Sequence, residues 1–155
     1  MVSDQSLPPV AAHGVPARWR DVRLRDLAWL ARYGWCASCE LAQARRRFGH
    51  LQVGDLLARN RELAQQSAEG VAPDAQFPAR VAFIVPRLAP FMPFRSDCLI
   101  QAIAAQTWLA RSGLPSRIVI GVERPRDGPF AAHAWLEHDG MIITGGDVSQ
   151  YTVLL

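Results

Sequence analysis

The stretch Phe130-Ala131-Ala132-His133-Ala134-Trp135-Leu136-Glu137-His138-Asp139-Gly140-Met141-Ile142-Ile143-Thr144 reads as a β-hairpin. Residues 130–138 alternate as a strand, and Asp139-Gly140 suits a two-residue turn because both of its central positions need positive φ. Met141 to Thr144 is the return strand. Upstream, Arg117-Ile118-Val119-Ile120-Gly121-Val122 is a β-branched run that supplies another strand, joined to the hairpin by a charged loop, Glu123 to Pro129. Before Arg117 the apolar residues recur at helical spacing. Helices followed by an antiparallel sheet predict an α+β fold.

Going back along the chain, Leu99, Ala102, Ile103 and Leu109 form the inward stripe of a helix that starts at Ser96-Asp97-Cys98, with Asp97 as N-cap. Ser112-Gly113-Leu114-Pro115 stops it, with glycine just past the end and proline soon after. Val81, Ile84, Val85 and Leu88 mark another helix, which Pro86 is expected to kink or end early, and Pro90 and Pro93 then force a turn. Glu69 to Pro78 reads as a linker, preceded by a helix over roughly Val53 to Ala68 whose buried face is Val53, Leu56, Leu57 and Leu63. A long helix is predicted from an N-cap at Asp21 to Arg45-Arg46-Arg47, where Phe48-Gly49-His50 ends it and the cations suit the negative end of its dipole. Residues 1–17, with Pro8, Pro9, His13, Gly14 and Pro16, read as an irregular arm. Residues 18–155 are then one domain, helical over 18–78 and carrying the chemistry over 79–155.

At 155 residues the chain is long enough to bury a core without disulfides or metal, and half of it is hydrophobic, as a soluble globular domain requires. All seventeen basic residues are arginines, so Schiff-base, lysine general-base and P-loop chemistry are excluded. A net charge of +3 is a weak bias, and no nucleic-acid partner is expected from it; an acidic peptide fits at least as well. The N-terminus lacks a secretory signal and no apolar run approaches a membrane span, so with an odd number of cysteines a reducing cytoplasm is expected.

A cysteine at a helix N-terminus sits at the positive end of the macrodipole, which favours thiolate, and nearby unpaired N–H groups suit a tetrahedral oxyanion. Cys98 is therefore a candidate nucleophile and His133, beside the bulky Trp135 on one strand face, a candidate base. Glu137 shares that face, and Trp135 and Glu137 read as scaffold or pocket wall, with substrate binding as the alternative for Glu137. The hairpin turn pairs His138 with Met141 and sets Gly146 opposite His133, so Asp147 is the candidate third member. Asp139 lies roughly 20 Å from His133 along the strand and is a turn residue. Strict alternation would aim Asp147 at the other face, so the assignment requires a bulge, expected at Gly145-Gly146. Cys36-Ala37-Ser38-Cys39 has the spacing of a redox pair or half a zinc site, but no second ligand pair matches it and His13 and His50 are poorly spaced. It reads as two ordinary helix thiols, and no cofactor or metal is expected. Arg95 and Arg117 read as surface residues with an option on a substrate carboxylate.

Over residues 80–155 these motifs resemble a known family: Cys98-Leu99-Ile100-Gln101-Ala102, Gly113-Leu114-Pro115-Ser116-Arg117, Ile120-Gly121-Val122, Phe130 with His133-Ala134-Trp135-Leu136-Glu137, and Gly146-Asp147 with Tyr151. The family is the stand-alone leader peptidases of lasso-peptide biosynthesis, often called B2 proteins, of the transglutaminase-like cysteine protease superfamily. The resemblance implies a helical N-terminal half on a transglutaminase/papain-like core, the catalytic helix lying against a small antiparallel sheet. It further implies a cysteine peptidase that removes the leader from a ribosomally made precursor peptide, with Cys98 as nucleophile, His133 as general base and acid, and Asp147 as orienter. The implied partners are the precursor peptide, a separate leader-binding protein of the B1 type and the lasso cyclase. A transglutaminase or amidase using the same triad, and a non-catalytic arginine-rich peptide-binding module, are the alternatives.

Overall fold

The computed structural model describes residues 15, 16, 18–49, 55, 58–60, 62, 63, 65, 74–123 and 131–154. Most of the expected N-terminal arm with His13, the helix-face residues Val53, Leu56 and Leu57, His50, linker residues 69–73, loop residues 124–129 and Phe130 lie outside the described residues.

Two 3-10 turns, Trp19–Asp21 and Leu24–Asp26, precede helix α1, Leu27–Phe48. The helix therefore starts six residues after the expected cap at Asp21, because Val22 and Arg23 are extended, with ψ of 128° and 163°. Asp26 occupies the N-cap position. Its Oδ2 accepts from the Arg23 backbone N–H at 2.9 Å and its Oδ1 from Trp29 Nε1 at 3.3 Å, which ties the turn to the helix. Residues 55, 58–60, 62, 63 and 65 are helical as well.

Helix α2, Phe77–Leu88, begins inside the expected linker: Pro78 sits in its first turn, where a missing N–H costs nothing, and Phe77 N donates to the Asp74 carbonyl at 2.8 Å. Pro86 does not end it. The buried Val81, Ile84 and Val85 hold this helix in the core, and the chain stays helical to Leu88 before a 3-10 turn, Ala89–Phe91. Helix α3, Cys98–Arg111, starts at the expected residue and closes in a Schellman motif. There Gly113, at φ 75°, bonds the Ala110 carbonyl and Leu114 the Leu109 carbonyl, each at 3.0 Å.

The sheet consists of β1 (Arg117–Glu123), β2 (Ala131–His138), β3 (Met141–Thr144) and β4 (Thr152–Val153), in the order β3-β2-β1-β4 with every pair antiparallel. The α+β fold read from the pattern is the fold observed. The turn residues Asp139 and Gly140 both take positive φ, 47° and 76°. Where β4 does not reach, Asn60 covers the edge of β1, donating to the Ile118 carbonyl at 3.0 Å and accepting from the Ile118 N–H at 3.2 Å.

One face of the sheet is core. Ile118, Leu136 and Ile143 pack in a single cluster with Ile100, Ile103 and Leu109 of α3, Val81 and Val85 of α2, and Leu41 of α1. Cross-strand neighbours share a face, so Gly121 with His133 and Val119 with Trp135 belong to the other one. That outer face carries the histidine.

Candidate active site

Cys98 is the first residue of α3, half-buried and unpaired with any other cysteine. The first intrahelical bond runs from Gln101 N–H to the Asp97 carbonyl at 3.0 Å, so the N–H groups of Cys98, Leu99 and Ile100 lie ahead of it. Asp97 holds the N-cap position in extended conformation, but its carboxylate makes no cap bond and lies 3.5 Å from Arg95 Nη2. The helix end beside the thiol is thus left with its donors free of a side-chain acceptor, the state in which they suit an incoming oxyanion. Gln101 Nε2 donates to the Ser96 carbonyl at 2.8 Å and pins the approach to the helix. An open cleft of 660 Å³ adjoins this turn, lined by Pro90, Met92, Phe94, Arg95, Ser96 and Gln101 among others.

The His133 ring is held on three sides. Its Nε2 lies 2.8 Å from the Gly145 carbonyl, which only accepts, so Nε2 carries the proton and Nδ1 of the neutral ring keeps its lone pair. Tyr151 stacks on it at 4.9 Å between centroids and 29°, and Trp135 lies at 6.3 Å and 27°. Trp135 is itself anchored: its Nε1 donates to Glu137 Oε1 at 2.9 Å, while Glu137 Oε2 accepts from Arg117 Nε at 3.1 Å and Nη2 at 2.9 Å. Glu137 thus bridges Trp135 and Arg117. Two glycines make room for the tryptophan. A Cβ at Gly121 would come within 2.8 Å of its ring, and one at Gly145, where φ is +113°, within 2.4 Å of its Cβ.

The hairpin is regular for two pairs, His138 with Met141 and Glu137 with Ile142, and then shifts so that Leu136 faces Thr144. The extra residue is therefore Ile143, earlier than the Gly145-Gly146 position expected. Gly145 and Gly146 instead turn the chain, at φ 113° and 70°, and present the Gly145 carbonyl to His133. Asp147 follows on this turn, exposed, with Oδ1 accepting from the Ser149 N–H at 3.0 Å. That bond, with a further one from the Ser149 side chain, holds its carboxyl below the usual aspartate range.

Helix α3 ends at Arg111 and the chain reverses through residues 112–116 into β1, whose Arg117 pairs with Glu137. His133 pairs with Gly121 near the far end of β1, with the imidazole on the sheet face away from the Leu136 core. Among the described residues no hydrogen bond joins the thiol to the ring. Cys36 and Cys39 are half-buried free thiols on α1, and no group of three His, Cys, Asp or Glu fit to hold a metal occurs among the described residues. No described helix is long and apolar enough to cross a membrane. The Gly145 carbonyl and the Tyr151 stack were not visible in the residue pattern, since a backbone acceptor has no sequence signature; the Gly145-Gly146 pair was the available signal.

An α+β chain with a cysteine heading a helix against an antiparallel sheet that carries a held histidine defines a class, and the family comparison agrees with it. Residues 38–155 match the transglutaminase-like superfamily, so the chain belongs to that superfamily, which includes cysteine peptidases. No curated protein and no solved structure matches the chain.

Proposed function

We propose that this protein is a cysteine peptidase that removes the leader from a ribosomally synthesised lasso precursor peptide. The observation that carries the reading is the placement of Cys98 at the first turn of α3, ahead of the first intrahelical bond and beside an N-cap aspartate that does not cap. The resemblance over residues 80–155 supplies the substrate class.

In the reaction, His133 takes the thiol proton and the Cys98 sulfur attacks the scissile carbonyl carbon. The oxyanion meets the N–H groups at the start of α3. Collapse breaks the C–N bond, His133 returns the proton to the departing amine of the core peptide, and the leader remains as a thioester on Cys98. His133 then deprotonates water, which releases the leader carboxylate and restores the thiol. Asp147 is the proposed orienter of the third position; it follows directly on the Gly145-Gly146 turn, its carboxylate accepts from the Ser149 N–H, and the group that meets His133 Nε2 is the Gly145 carbonyl.

The test is cleavage of the cognate precursor presented with its leader-binding partner. Cys98→Ala abolishes cleavage, and an electrophilic thiol probe labels Cys98 rapidly at neutral pH in the parent protein. Undiminished cleavage by Cys98→Ala ends the proposal, and attachment of an added amine to the product assigns a transglutaminase instead.

A further inference from the structure

Helix α1 has two apolar faces. One, through Leu30, Tyr33, Ala37, Leu41 and Ala44, packs in the core. The other, Leu27, Ala28, Ala31 and Trp35, is exposed along its length and is preceded by the exposed Leu24 of the 3-10 turn that leads into the helix. Leu24 is 87% exposed, Leu27 53% and Trp35 74%. A helix in water ordinarily sets polar residues on its outer face, and a continuous apolar ridge there marks a binding surface.

The charge around the ridge says what kind. Residues 18–48 contain eight arginines against three carboxylates. Two of those carboxylates are buried and engaged, Asp26 by Arg23 N–H and Trp29, and Glu40 by Arg111. Arg20, Arg23, Arg25 and Arg32 are all exposed on the same stretch of chain, and the third carboxylate, Asp21, lies 4.0 Å from Arg20. A second copy of the chain would bring the same positive charge to the contact, and like charges opposed across an interface are costly. Nucleic acid would use the arginines but has no need of a leucine and alanine ridge.

We propose that this face of α1 docks an acidic, amphipathic segment of a protein partner: apolar side chains seat along Leu24, Leu27, Ala31 and Trp35, and flanking carboxylates meet the arginines. Tryptophan and arginine are the residue types that dominate such contacts. The site is on the helix layer and is independent of the reading of Cys98.

The experiment is calorimetric titration of the full chain with a synthetic helix of about 18 residues built from Leu, Ala and Glu, against the same peptide with Arg in place of Glu. The acidic peptide binds saturably at one site, weakens as salt is added, and binds about tenfold less tightly to Leu27→Ala/Trp35→Ala, whose melting matches the parent because both residues are exposed. Absence of saturable binding, equal binding of the Arg peptide, or undiminished binding by the double variant overturns the proposal. So does parent-chain dimerisation that the double variant abolishes, or preference for phosphatidylserine vesicles or duplex DNA over the acidic peptide.

Discussion

His133 donates its Nε2–H to the carbonyl of Gly145 across 2.8 Å, so a backbone group holds this imidazole. A backbone acceptor cannot titrate. The tautomer with a lone pair on Nδ1 is therefore maintained wherever the ring is neutral, provided that the turn over Gly145 and Gly146 keeps its shape.

That turn tolerates no side chain at its first residue. Gly145→Ala places a Cβ against Trp135 in a conformation that L-residues rarely adopt, and a stability loss of about 1–3 kcal/mol is expected in denaturant titration, with slower precursor cleavage. A variant that melts and cleaves like the parent would show that the carbonyl has no such role.

Tyr151 contributes its ring, not its hydroxyl, to the stack on His133. Tyr151→Phe should keep kcat/KM near the parent value. Tyr151→Ala should lower it by about two- to tenfold, the equivalent of one aromatic contact. Equal losses in both variants would point to the hydroxyl.

Asp147 is held ionised by Ser149. A carboxylate with a depressed folded pKa contributes stability that is present above its unfolded value, near 3.8, and lost as the pH falls through the folded one. Parent and Asp147→Ala should accordingly differ in melting temperature at neutral pH and converge in acid. Cleavage by Asp147→Ala should be slowed but not abolished, in contrast to Cys98→Ala. A loss as complete as that of Cys98→Ala would make Asp147 more than a positioning residue.

Glu40 shows the opposite sign. Burial pushes its carboxyl above the ordinary value of 4.5, outweighing the pull of Arg111 and Arg47, and its Oε2 has no hydrogen-bond partner. Between the unfolded and the raised folded pKa the folded chain holds a proton that the unfolded chain has released, so this residue's contribution falls as pH rises. Glu40→Gln keeps an acceptor for Arg111 without the buried charge and should melt at or above the parent at pH 7, with the gap closing on acidification to about pH 4.5. A gap that widens in acid would reverse the assignment.

The local parts of the site were legible because their signals are local. Asp97-Cys98 marks a helix start by capping preference, Gly113 a helix end by its positive φ, and Asp139-Gly140 a hairpin by turn geometry. Each depends on residues within a few positions of one another. Where a neighbour from elsewhere intervened, the pattern misled: Pro86 reads as a helix breaker, yet the core contacts of Ile84 and Val85 carry α2 past it.

The amino-acid sequence by itself determined the α+β order, the placement of Cys98 at the head of a helix, and the strand face shared by His133, Trp135 and Glu137. Only the tertiary structure decided what His133 touches. A bulge at Ile143 rather than at the glycines shifts the hairpin by one residue, and two positive-φ glycines then turn a carbonyl toward the ring. Register is set by packing of Leu136 and Ile143 against α3 as much as by the turn, and packing is a property of the assembled chain.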